Sequence, residues 1–169
     1  MTRIPDVLSL TRRLLAFNTI NPPGNEQECA YYIGTMLKDS GFRVTYFEFA
    51  EKRTTLVATL RGEGKGKPIC FTGHLDLVPL GMVPWKKDPF QGDIEGDRIY
   101  GRGTSDMKAG IAAMVVMALR SVSQLTKKPK ITLVFTAGEE TCCEGAYHLS
   151  GIDHALGDAG AIVVAEPTS

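Results

Sequence analysis

The sequence predicts an α/β fold with a mostly parallel central sheet, on three observations. The second half alternates: Pro68–Gly73, Ser105–Val122, Lys130–Ala137, Glu144–Leu149 and Ala161–Ala165 read as strand, helix, strand, helix, strand. The segment P-I-C-F-T-G (68–73) is nearly continuously apolar, the pattern of a central strand buried on both faces. The first forty residues carry apolar side chains at helical spacing.

Taken in order, residues 5–17 read as a helix, with Pro5 in its first turn and Val7, Leu8, Leu14, Leu15 and Phe17 on its apolar face. Asn21-Pro22-Pro23-Gly24 breaks the chain. Asn25 is placed to cap a second helix, with Tyr32, Ile33, Met36 and Leu37 facing the core and Gly41 ending it. The period then changes: Phe42, Val44, Tyr46 and Phe49 suggest a strand, Thr54–Leu60 another, and Gly62–Gly66 a turn. Residues 79–103 are rich in Gly, Pro and Asp and read as a long functional loop with a small hairpin at Gly96-Asp97. The helix Ser105–Val122 has almost no polar face, so it is expected to be largely buried.

Composition narrows the function. The 169 residues suffice for one domain with a core. Nineteen basic and nineteen acidic residues leave no net charge to draw the chain to nucleic acid or an anionic membrane. The longest apolar run, Ile111–Leu119, is far short of the about 20 residues a membrane span needs. The N-terminus lacks a signal-peptide pattern, and Cys29, Cys70, Cys142 and Cys143 form no C-x-x-C motif. A cytoplasmic protein with buried, reduced thiols is expected.

Chemistry concentrates at strand ends. His74 and Asp76 lie in G-H-L-D, and on an extended segment they point the same way. A carboxylate so placed can fix the tautomer of a metal-binding imidazole. Asp106 stands between a glycine-rich loop and the apolar helix, Glu139-Glu140 follows one apolar strand and Glu166 another. Adjacent carboxylates repel unless a cation neutralises them. Hard oxygen donors and one imidazole gathered at the carboxyl edge of a sheet suit a hydrolytic metal site. Gly101-Arg102-Gly103 fits no phosphate-binding pattern. His148, His154 and the Cys142-Cys143 pair are expected to play no part in the site.

Together G-H-L-D, W-K-K-D-P-F-Q-G (85–92), D-R-I-Y-G-R-G-T-S-D-M-K-A-G (97–110) and T-A-G-E-E (136–140) resemble the dinuclear zinc aminoacylase and carboxypeptidase family. This family includes acetylornithine deacetylase, succinyl-diaminopimelate desuccinylase and glutamate carboxypeptidase. The resemblance runs over essentially the whole chain and is strongest over Phe71–Leu149. It implies a zinc-peptidase-like three-layer sandwich with two zinc ions, for which cobalt may substitute. His74, Asp106 and Glu166 would hold the first metal, and Asp106, as the bridge, and Glu140 the second. Asp76 would support His74, Glu139 would be the general base, and the Asp106–Met107 peptide would be cis. The implied reaction is amide hydrolysis of an N-acyl amino acid by a zinc-activated water. Acetylornithine and arginine biosynthesis come first, with N-succinyl-diaminopimelate or dipeptides as alternatives.

Relatives of this kind are more than twice as long. Residues 1–169 therefore match the N-terminal segment of the catalytic domain, before the dimerisation domain and the returning catalytic segment. Those parts would supply the last histidine on the second metal and an oxyanion-stabilising histidine. The expectations are little or no hydrolysis by this chain alone, one tight and one weak metal site, and self-association in place of the family's homodimer. The rival reading is a non-catalytic domain that retains the fold.

Overall fold

The computed structural model describes residues 4–62, 66–123, 131–156 and 159–167. Its elements are α1 (Val7–Leu15), α2 (Gln27–Asp39), β1 (Arg43–Ala50), β2 (Arg53–Leu60), β3 (Ile69–His74), β4 (Asp93–Glu95), β5 (Arg98–Tyr100), α3 (Lys108–Ser121), β6 (Ile131–Thr136), α4 (Glu144–Ser150) and β7 (Ala161–Val164). Five strands form one sheet in the order β1-β2-β6-β3-β7. β2 is antiparallel to both neighbours, while β6, β3 and β7 are mutually parallel. Four of the five strands therefore run one way, and the sheet is mostly parallel as predicted. β4 and β5 make the small hairpin expected inside the long loop.

Alternation along the strands sorts the core into two layers. Leu56, Ala58, Leu133 and Phe135 pack with α1, α2 and α3 on one face. Val57, Val134 and Cys70 pack with Leu149 of α4 on the other, joined by Ile152 and Leu156 from the turn after it. Helices, sheet and the thin α4 layer make the three-layer sandwich. Within the helical layer α3 is almost wholly apolar and buried, with Ile111, Val115, Ala118 and Leu119 at the sheet or against α1.

Several boundaries differ from the sequence reading. α1 starts at Val7, because Asp6 is the cap: its carboxylate accepts from the Ser9 amide at 2.9 Å. Asn25 does not cap α2; the buried Glu26 takes that position, and its side chain turns instead to Arg53. α3 begins at Lys108, later than Ser105, since residues 102–107 turn and the Lys108 amide closes back on the Gly103 carbonyl. Cys29 and Cys70 are buried thiols, but Cys142 and Cys143 are exposed, on a loop whose left-handed backbone carries both side chains outward. Glu63–Lys65 of the expected turn, and Lys130, lie outside the described residues.

β7 also departs from the core strand expected at Ala161–Ala165. Every residue of β7 is exposed, and among the described residues it pairs only with β3. An apolar run reads alike for a central and an edge strand; burial needs a neighbour on both sides.

One ion pair crosses the helical layer. Arg53, at the start of β2, donates from Nε to Glu26 Oε2 at 2.9 Å and from Nη1 to the Pro23 carbonyl at 3.2 Å. Glu26 Oε1 accepts the Gly138 amide at 3.2 Å. Burial pushes the Glu26 carboxyl up, and the Arg53 charge and hydrogen bonds oppose that rise. Gly138 has φ +72°, and an added Cβ would sit 2.7 Å from Arg53 Nη2, so glycine is required there. Removing one partner of such a pair leaves the other charge buried alone. Arg53→Met is expected to lower unfolding free energy by about 3–5 kcal/mol. Adding Glu26→Gln, which keeps an acceptor for the Gly138 amide, should restore much of it. Urea unfolding of the two variants and the parent decides this.

Candidate metal centre

The parallel register brings the site together. His74 ends β3 opposite Thr136 of β6, and Thr72 pairs with Val164 of β7. The carboxyl ends of three neighbouring strands thus share one edge, where open α/β sheets bind ligands. Glu139 and Glu140 follow β6, Glu166 follows β7 by two residues, and Asp106 comes two residues ahead of α3. The Asp106–Met107 peptide is cis, as the resemblance implied, and Met107 Sδ receives the His74 amide at 3.2 Å.

His74 forms the floor. Its side chain is 1% exposed, whereas Asp106 and Glu166 are 49% and 37% exposed, so the site opens on the carboxylate side. Nε2 lies 3.0 Å from Asp106 Oδ1 and 3.4 Å from Glu166 Oε1. Nδ1 lies 3.0 Å from the carbonyl oxygen of Asp76 and 3.4 Å from its Oδ1. Nδ1 thus faces both the carbonyl and the carboxylate of Asp76, and the carboxylate acts on the ring as a hydrogen-bond partner as well as by its charge. Burial alone would lower the imidazole pKa. The Asp76, Glu166 and Asp106 carboxylates outweigh that and lift it to about 9.

Asp76 has no exposed surface, and its carboxylate is fully used. Oδ1 accepts the Glu139 amide at 3.0 Å, and Oδ2 accepts the Glu140 amide at 3.0 Å and the Asn21 side-chain amide at 2.8 Å. Burial pushes this carboxyl up, and the bonds from His74, Asn21 and the two amides together hold it below the usual range. One aspartate thereby sets both the histidine and the acidic turn after β6.

Two compact groupings of potential ligand atoms result: His74 with Asp106 and Glu140, and His74 with Glu139 and Glu166. In each, the atoms lie within 4.8 Å of one another. All five residues expected to bind metal or activate water converge, with Asp76 behind them. The groupings share His74, whereas the resemblance implied Asp106 as the shared ligand. The donor set fits a divalent cation. Glu140 Oε1 is buried without a hydrogen-bond partner, an arrangement a cation would satisfy. Burial, then crowding by neighbouring carboxylates, raises the Glu140 and Glu166 pKa values even against the pull of His74. Neither His148 nor His154 joins a grouping among the described residues; His148 lies half-buried by the Phe49 ring and His154 is exposed.

Sequence reasoning missed three supporting residues. Asn21 was read only as part of a chain break. Thr141 Oγ1 accepts from the Asn21 amide at 2.7 Å and donates to Glu144 Oε2 at 2.9 Å. The Cys143 thiol donates to Glu139 Oε1 at 3.5 Å. Nothing in the local pattern links Asn21 to Asp76 or Thr141, 55 and 120 residues away, whereas the Cys143 and Thr141 contacts to Glu139 and Glu144 are local and depend on the shape of the turn. Lys108 adjoins the D-M of the D-M-K string, yet its side chain is buried away from the carboxylates, donating to the carbonyls of Leu14 and Phe17 at 3.0 and 2.7 Å.

Residues 70–169 match the sequence profile of Peptidase family M20/M25/M40. A succinyl-diaminopimelate desuccinylase of Wolbachia pipientis subsp. Culex pipiens is 36% identical over 139 residues, 80% of this chain and 34% of that protein. A second, from Wolbachia sp. subsp. Brugia malayi, is 31% identical over 169 residues, 97% of this chain and 42% of that protein. The chain thus spans about a third to two-fifths of the relatives' length. The fold resembles that of an M20 family metallo-carboxypeptidase from Sulfolobus solfataricus, with a TM-score of 0.80 and 21% identity over 95% of this chain and 37% of that one. Human carnosine dipeptidase 1 gives a TM-score of 0.78 at 18% identity, over 94% of this chain and 37% of that one.

Two outcomes are expected for zinc titration of this chain. His74, with its pKa near 9, carries a proton at pH 7 that metal must displace, so binding should release protons and apparent affinity should rise from pH 7 toward 9. Calorimetry in buffers of different ionisation enthalpy measures this. Asp76→Asn should weaken zinc binding by about 10–100-fold, the usual effect of removing a carboxylate behind a ligating histidine.

Proposed function

The chain belongs to Peptidase family M20/M25/M40, and we propose that its protein is a zinc-dependent hydrolase that removes the acyl group from an N-acyl amino acid. The observation that carries this is the convergence of His74, Asp106, Glu139, Glu140 and Glu166 at one sheet edge. His74, Asp106 and Glu166 are assigned to one metal, and Asp106 and Glu140 to a second. Bound zinc would supply a water acidic enough to ionise near neutral pH and a Lewis acid for the acyl oxygen.

Glu139 is assigned as the base. Its carboxylate is anchored through its own backbone amide on Asp76 and by the Cys143 thiol, and it lies within ligand distance of His74 and Glu166. From there its oxygen can accept a proton from the attacking water and return it to the departing amine, so that water and amide become acid and amine. Asp76 stays ionised throughout, holding the ring of His74.

The substrate proposed first is N-succinyl-diaminopimelate, since the similar relatives carry the desuccinylase name at 31–36% identity. N-acetylornithine, placed first in the sequence reading although the strings fit both substrates' branch, becomes the comparison substrate. Among the described residues His74 is the one histidine in either grouping, which supports one tight and one weak metal site and little turnover by this chain alone. The exposed β7 edge, with Val163 at 45%, supports self-association of the isolated chain.

The test uses a protein of the relatives' full length. Zinc-dependent release of succinate from N-succinyl-diaminopimelate should exceed release of acetate from N-acetylornithine. Glu139→Gln should lower kcat by about 10²–10⁴-fold with zinc content retained. Absence of zinc-dependent hydrolysis of either substrate would overturn the enzymatic reading. Full activity of the Glu139 variant would remove its assignment as base.

A further inference from the structure

We propose that Asn21 is a positioning residue of the metal centre: a clamp that holds the Asp76 carboxylate and the turn carrying Glu139 and Glu140 in one fixed relation. The inference rests on the metal-centre reading above and extends it to a segment with no ligand of its own.

Three observations carry it. The Asn21 side-chain amide gives one hydrogen bond to Asp76 Oδ2 at 2.8 Å and another to Thr141 Oγ1 at 2.7 Å. Those acceptors stand on opposite sides of the acidic pair, one beneath His74 and one directly after Glu140. A primary amide has two N–H donors in one plane, and both are used. Asn21 is 3% exposed, and its bond to Asp76 is buried, while the bond to Thr141 is part-buried.

The clamp has a rigid mount. The Asn21 amide donates to the Leu77 carbonyl at 2.8 Å, and the Leu77 amide to the Thr19 carbonyl at 3.0 Å. Thr19 Oγ1 donates to the Leu75 carbonyl at 2.6 Å. Residues 19–21 thus run as a short parallel bridge beside 75–77, the segment that carries Asp76. On the far side, Arg53 Nη1 holds the Pro23 carbonyl at 3.2 Å. With both ends fixed, the Asn21 side chain can set the tilt of the Asp76 carboxylate, and through it the His74 ring.

A residue that merely stabilised the fold would change how much protein is folded, and leave the geometry around a bound ion unchanged. A clamp changes that geometry. Zinc affinity and the visible spectrum of cobalt(II) at saturation therefore separate the two roles. The experiment titrates the 169-residue chain and its variants with zinc by calorimetry, records cobalt(II) spectra at saturation, and checks folding by circular dichroism. Asn21→Ala is expected to bind zinc about 10-fold more weakly and to show shifted cobalt bands. Thr141→Val, on the partly exposed turn, removes one arm only and is expected to lose about 3-fold, with a smaller shift in the same direction.

Zinc binding by Asn21→Ala within twofold of the parent, or weaker binding with an unchanged cobalt spectrum, would overturn the clamp. If Asn21→Ala does not fold, Thr141→Val decides, and parental affinity and spectrum in that variant overturn it. A parent chain that binds neither zinc nor cobalt sinks the metal-centre reading itself.

Discussion

The site depends on one buried carboxylate. Asp76 has no contact with solvent, yet stays ionised because the His74 ring, the Asn21 side chain and the amides of Glu139 and Glu140 all face it. A buried charge persists only when it is paired and hydrogen-bonded. Here the same groups that stabilise the charge are those whose positions matter for chemistry. Orienting the imidazole and fixing the acidic turn are therefore one event, and any change to Asp76 is felt at both.

Asp76 is in turn tied to the interior. From its Oδ2 the polar contacts pass to Asn21, then Thr141, then Glu144. Glu144 lies 3.4 Å from Arg53, close enough for charge attraction though out of hydrogen-bond alignment. Arg53 pairs with Glu26, which holds the Gly138 amide just ahead of the acidic pair. The β6–α4 turn is thus gripped at Gly138, at Glu139 and Glu140, and at Thr141. Asp76, Asn21, Glu26 and Arg53 form the buried part of this network, which is costly to break, while the arm through Thr141 and Glu144 is open to solvent. The network lets a solvent-facing turn hold several carboxylates close together against their repulsion.

Much of this was legible in the order of residues. Apolar runs of strand length between helical stretches gave the α/β class, and G-H-L-D, S-D-M-K and T-A-G-E-E marked the edge where the candidate donors gather. The helix starts were not legible. Asn25 has the chemistry of a cap, but Glu26 won that position because Arg53, 27 residues away, needed its carboxylate. β7 has the composition of a core strand and lies exposed at the sheet edge, since apolarity states a preference for burial without naming what would cover it. Asn21 looked like punctuation beside two prolines; its role exists only because residues 19–21 dock beside 75–77.

By itself the sequence determined the family, the fold class and which side chains are candidate donors. Residue type and local period are enough for these, because each reports a local preference or a chemistry the chain must carry. Tertiary structure decided which donors share a neighbour, which carboxylate is buried as the hub, and which uncharged side chains hold it. Those outcomes depend on parallel register between strands about 60 residues apart, such as His74 opposite Thr136, and on burial that raises some pKa values and lowers others. Distance and dielectric are properties of the packed molecule, and neither is written in the order of its residues.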